Sequence, residues 1–179
     1  MIKTPYTASL VSGPVTLTGT SPGATSGTAS IDVGQWNLHK FAGGTHYTLT
    51  GEIAGQHIDN HWAKDYHRQK MEELADLFFA QFGESLTFND TSLPFGGLYD
   101  VDSTHHWVPP HQSHPEGRST DIKTNGLDTA EINFVKAKWK SWQSLGAYLG
   151  DETVIREKGK PDRPNTVNPH YHLTIGPIN

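Results

Sequence analysis

Apolar residues Met71, Leu74, Leu77, Phe78 and Phe82 recur at three- and four-residue spacing. That period predicts one long helix from His61 to about Phe82, opened by Asn60, with a single buried stripe. Gly83 is placed to cap its C-terminus. A second helix is predicted to start at Asp128. Glu131 stands three residues on and completes a capping box. Ile132, Val135, Trp139 and Trp142 supply the apolar face of this helix, which is expected to end near Gly146.

Elsewhere the pattern shortens to alternation, the period of strands. Pro14–Gly19, Ala29–Val33 and His46–Thr50 read as strands, with Ser21–Thr28 as the loop between the first two. Ser85–Asn89, a stretch opening at Asp121, and His170–Ile175 read likewise. Asp151–Asn168 is charged, contains proline and reads as a loop. The order of elements predicts an α+β fold, an antiparallel sheet with flanking helices that carries a site on one face. Residues 1–56 form a β-rich N-terminal segment or accessory module ahead of a main domain over 57–179.

Composition narrows the chemistry. The chain has 179 residues and a formal net charge of -5, with acids and bases interspersed, which argues against a general nucleic-acid binder. No apolar run is long enough for a membrane helix, and the first residues show no charged-then-apolar leader. With no cysteine there is neither a disulfide nor a thiolate ligand nor a Cys nucleophile. Eleven histidines are the anomaly. Four of them, His105, His106, His111 and His114, fall in one short segment.

Two pieces of sequence then carry a candidate metal site. His114 and Asp121 are separated by a stretch containing Gly117, which lets the chain turn back. His170 and His172 stand two apart, so on a strand they share one face and Tyr171 points away. Imidazole and carboxylate are the zinc donors left when thiolates are absent, and three of them with one open position make a catalytic site. His114, Asp121 and His172 are the expected ligands. His170 beside them is the expected base that takes a proton from water. Glu116 is a weaker alternative for that base. Arg118 either grips a substrate carboxylate or forms an ordinary salt bridge. Asp100 and Asp102 either orient ligands or are solvated. His61 and His67, both assigned to the first helix, read as surface or core residues, and Trp107 as a groove residue.

The run from Asn89 to Gly97, the segment Pro110-His111-Gln112-Ser113-His114 and the stretch Gly117–Asp121 together resemble the penicillin-insensitive murein endopeptidases. These belong with the lysostaphin-type and D-alanyl-D-alanine zinc peptidases. The resemblance covers roughly residues 57–179. It implies zinc on His114, Asp121 and His172, with His170 catalytic and His111 an active-site or substrate contact. Pro110 stands where that family has Gly, and Ser119 where the related carboxypeptidases often have Ala. The activity implied is hydrolysis of amide bonds in peptidoglycan cross-links or similar D-amino-acid peptides, in a periplasmic or secreted setting. A zinc-containing module that binds cell wall without cleaving it is the alternative.

Overall fold

The computed structural model describes residues 12–54, 58–100, 107–108, 114–151, 153–155, 163–165 and 169–176. Its strands are β1 (Gly13–Gly19), β2 (Gly27–Val33), β3 (Leu38–Lys40), β4 (Tyr47–Leu49), β5 (Trp62–Lys64), β6 (Leu86–Phe88), β7 (Tyr99–Asp100), β8 (Trp107–Val108), β9 (Ser119–Lys123), β10 (Ala147–Asp151), β11 (Val154–Ile155), β12 (Arg163–Pro164) and β13 (His170–Ile175). The helices are α1 (Asp65–Phe82) and α2 (Thr129–Ser141). The class is α+β, as expected.

The central sheet has five strands in the order β10-β13-β9-β6-β4. Every pairing is antiparallel except one: β4 runs parallel to β6. The sheet is therefore mixed rather than antiparallel throughout. Its edge strand β4 comes from the N-terminal segment. Tyr47 of β4 and Phe41 just before it are core residues, so the sheet crosses the expected boundary at residue 56. The β1–β2 hairpin pairs only within itself among the described residues.

Alternation along the strands sorts the two faces of the sheet. Tyr171, Leu173 and Ile175 of β13 join Ile122 of β9 and Leu86 and Phe88 of β6 in the core. Met71, Leu74, Ala75 and Phe78 of α1 and Val135 and Trp139 of α2 complete it. Each large side chain buried there contributes roughly 1.5–3 kcal/mol relative to exposure. His170, His172 and Thr174, the intervening residues of β13, point to the opposite face.

The first helix begins later than its periodicity predicts. Trp62–Lys64 is a strand paired with Leu38–Lys40. Its backbone also donates from Trp62 to Ser92 O at 3.0 Å and from Lys64 to Gly117 O at 2.8 Å. These partners are remote in sequence, and they outweigh the local helical preference. Asn60 caps nothing; its amide donates to Asp90 Oδ1 at 2.5 Å. His61 lies outside the helix, buried, in a bridge with Ser92. The helix starts instead behind Lys64, with Asp65 in its first turn favouring the dipole.

Three local signals hold. Gly83 closes α1 in the left-handed region at φ 75°. Asp128 caps α2, accepting from Ala130 N and Glu131 N, while Asp128 N donates to Glu131 Oε2 at 2.7 Å. After Ser141 the chain continues into a 3₁₀ turn that ends at Gly146, where the helical stretch was expected to stop. The segment read as a loop after Asp151 contains the short β11–β12 pair.

Candidate metal centre

The centre is assembled from two paired strands and one turn. β9 and β13 place Asp121 directly opposite His172 and Lys123 opposite His170. Directly opposed residues on antiparallel strands point to the same face, with their Cβ atoms about 5 Å apart. Asp121 and His172 are thus brought together by register alone. On the far side of β13, Gly150 of β10 pairs with His172. A Cβ there would come within 3.3 Å of the His172 Cβ.

His114 arrives from the 3₁₀ turn His114–Glu116, which ends at Gly117. Gly117 adopts φ 68°, and a Cβ on it would meet Leu38 Cδ2 at 2.3 Å and backbone of Ala63 and Lys64 within 3.3 Å. Only glycine fits this turn without moving its neighbours. Gly117 N donates back to His114 O at 2.9 Å, which closes the turn.

Around the Asp121 carboxylate stand three imidazoles. His172 Nδ1 lies 2.9 Å and His114 Nε2 3.4 Å from Oδ1. His170 Nε2 lies 3.6 Å from Oδ2. All four residues are buried. The ligating atoms of His114, Asp121 and His172 lie within 4.8 Å of one another. Donors around zinc at about 2.0–2.2 Å in tetrahedral geometry stand roughly 3.3–3.6 Å apart. The observed separations come close to that spacing, so the residues fit a small divalent ion.

The tautomer of His114 is set from outside the cluster. Its Nδ1 donates to the Thr91 carbonyl at 2.6 Å, and a carbonyl only accepts. In the neutral ring, Nε2 therefore presents a lone pair toward Asp121, the arrangement that orients histidine ligands in metal sites. Burial alone would raise the Asp121 carboxyl, but in the metal-free protein hydrogen bonds from a protonated His114 ring and from His172 outweigh it. The group is held well below the usual carboxylate range and stays ionised. Burial also works against charge on His114, yet Asp121 and the Thr91 carbonyl raise its pKa. A proton on this ring stands where a cation would, and an ion bound there would displace it.

One contributor escaped the sequence reading. His67, on the core side of α1, is buried, and its Nε2 lies 2.9 Å from Thr120 Oγ1, next in chain to Asp121. Thr120 Oγ1 also contacts Thr91 Oγ1 at 3.2 Å. This buried bridge ties α1 to both the strand that carries Asp121 and the residue that orients His114. Burial, reinforced by the charges of His114 and His172, pushes the His67 pKa down to about 3. No motif marks His67, and Thr91 acts through a backbone carbonyl, which leaves no side-chain signature.

The other predicted residues sort simply. Arg118, read as a substrate clamp or an ordinary salt bridge, is ion-paired with Glu116, the weaker alternative for the base. Trp139 is core and Trp142 packs against it. His105, His106, His111 and Asp102 lie outside the described residues, as do the side chains of Asp100 and Trp107. Among the described residues no helix is long and apolar enough to cross a membrane. No protein-family model and no curated protein matches the chain.

Proposed function

We propose that the protein is a zinc-dependent peptidase that hydrolyses amide bonds in peptidoglycan cross-links or other D-amino-acid peptides. One observation carries this reading: a carboxylate and two imidazoles converge within 4.8 Å, and a third imidazole, His170, stands 3.6 Å from the second carboxylate oxygen. Three donors with a further titratable group alongside is the composition of a hydrolytic metal site rather than a purely structural one. The substrate class rests on the murein endopeptidase-like segments Asn89–Gly97, Pro110–His114 and Gly117–Asp121. Such a substrate places the protein's action in the periplasm or outside the cell.

In this reading His114, Asp121 and His172 hold the ion. Zinc bound there supplies polarisation of the scissile carbonyl and acidification of water. The chain's own residues do the rest. Asp121, ionised throughout, provides the one negative charge among the three ligands. Thr91, through its carbonyl, keeps His114 Nε2 available. His170 accepts the proton of the attacking water at its ring nitrogen and returns it to the departing amine nitrogen.

The test combines elemental analysis with release of new amino groups from purified peptidoglycan. Wild type and His170→Ala are expected to carry close to one zinc per chain, and His172→Ala to lose it. Activity should fall about 10²–10⁴-fold in His170→Ala, the usual contribution of a positioned base. Zinc-loaded wild type that binds peptidoglycan without turnover would mean a binding module. Wild type that takes up no zinc would remove the reading altogether.

A further inference from the structure

A recess lined by none of the candidate metal ligands lies between the β2–β3 connection and the Pro94–Phe95 turn. Its volume is about 240 Å³, and Asp32, Gln35, Trp36, Asn37, Leu38 and Phe95 line it. The walls are fastened to each other. Gln35 N donates to Phe95 O at 2.8 Å. Gly34 packs so closely on Phe95 that a Cβ would meet its carbonyl oxygen at 2.5 Å. Lys64 Nζ donates to the Trp36 carbonyl, and Asn37 takes a left-handed φ of 56°. The connection is thus held in one shape.

Yet the indole of Trp36 is 83% exposed. Folding leaves the largest apolar side chain of this connection in water while anchoring its backbone. Around it are a carboxylate and two carboxamides, all on exposed residues, and no lysine or arginine appears among the lining residues. That set disfavours an anionic ligand. It matches a neutral ring with one apolar face and a rim of hydroxyl or amide groups, which stacks on an indole and hydrogen-bonds to Asp, Asn and Gln. The volume falls below the range of about 300–1,000 Å³ for drug-sized ligands, which suits a single ring.

The recess also touches the metal centre's scaffold. Leu38 packs against Gly117, and Gly97 N donates to Pro115 O at 3.0 Å, one residue from His114. The geometry points to a carbohydrate subsite in which Trp36 stacks on a pyranose ring of an amide-bearing glycan while Asp32, Gln35 and Asn37 take its polar rim. This extends the proposed reading, whose substrate carries such sugars joined to the peptide, by assigning the glycan its own place on the protein.

The test titrates two probes into the full chain: the N-acetylglucosamine tetramer, and peptidoglycan glycan strands stripped of peptide. Binding is followed by tryptophan fluorescence and by calorimetry. Saturable binding of either probe is expected in wild type, with affinity about tenfold weaker in Trp36→Ala and largely restored in Trp36→Phe. His172→Ala should bind the sugar as wild type does, so a failed metal reading leaves the subsite standing. No binding of either probe, unchanged affinity in Trp36→Ala, or loss in His172→Ala would overturn the proposal. Since Trp36 is exposed, its replacement leaves the core intact, and an unchanged melting temperature checks this.

Discussion

At the scale of single residues, the centre is a carboxylate whose charge is shared among imidazoles, and each ring has a distinct setting. His114 is fixed by a carbonyl, and His172 faces Asp121 across a strand pair. His67 sits one layer deeper, with no charged partner among the described residues to offset its burial. That isolation gives a pH signature. A histidine whose folded pKa is lowered to about 3 from 6.5 is neutral in the fold, whereas the unfolded chain takes up its proton below about 6.5. The stability it supports is complete above that value and drains away as pH falls toward 3, at up to about 1.4 kcal/mol per pH unit. His114 works in the opposite sense in metal-free protein: its raised pKa adds stability at low pH that is lost as pH rises through the folded value. Comparing wild type with His67→Gln cancels that term, because His114 is present in both. Urea denaturation in chelator between pH 7 and 4.5 should show a steeper loss in wild type than in the variant. Parallel pH profiles would mean that His67 is hydrated or charged in the native state.

At the scale of elements, the structure separates parts that shape the centre from parts that only hold the fold. The Gly117 turn belongs to the first kind. Gly117→Ala adds left-handed strain of about 1–2 kcal/mol, together with a clash against Leu38 and the β5 backbone. It should destabilise the protein by about 2 kcal/mol or more and weaken zinc in a competition titration, because the same turn sets His114. The α2 capping box belongs to the second kind. Asp128→Ala removes two hydrogen bonds accepted at the N-terminus of α2, neither of them made to a candidate ligand. It should cost about 1 kcal/mol of stability with zinc affinity unchanged. Equal effects of both substitutions on zinc would show that the metal responds to global stability rather than to the turn.

At the scale of the whole molecule, the sheet has a helix-covered face that holds the core and an opposite face that holds His170, His172 and Asp121. One strand register serves both, since Tyr171 and Leu173 are buried in the core by the same pairing that aims the histidines. A metal held there would be coupled to folding, because His114, Asp121 and His172 come together only when β9, β13 and the Gly117 turn are all in place. At free zinc about 1,000 times its Kd, binding adds about 4 kcal/mol to the native state. Chelation should therefore lower the melting temperature by roughly 10 °C for a chain of this size, and zinc should restore it. An unchanged melting temperature on chelation and on zinc addition would leave the histidine cluster without a ligand.

The α2 capping box, the glycine cap of α1, the paired histidines of β13 and the donor types of the candidate centre were legible in the amino-acid order. Each depends on neighbours within a few residues, or on the two-residue period of a strand, and such short-range terms are written directly in a sequence. The convergence of His114, Asp121 and His172 was anticipated from chemistry and resemblance, but only the β9–β13 register and the Gly117 turn bring them within reach. Tertiary structure alone decided that Trp62–Lys64 is strand rather than helix, that β4 completes the sheet from the N-terminal segment, and that His67 and Thr91 brace the centre. The reason is common to all of these. Their hydrogen bonds run to partners brought close only by folding, such as Gly117 for Lys64 and Thr120 for His67, and a partner remote along the chain leaves no local period or motif to read.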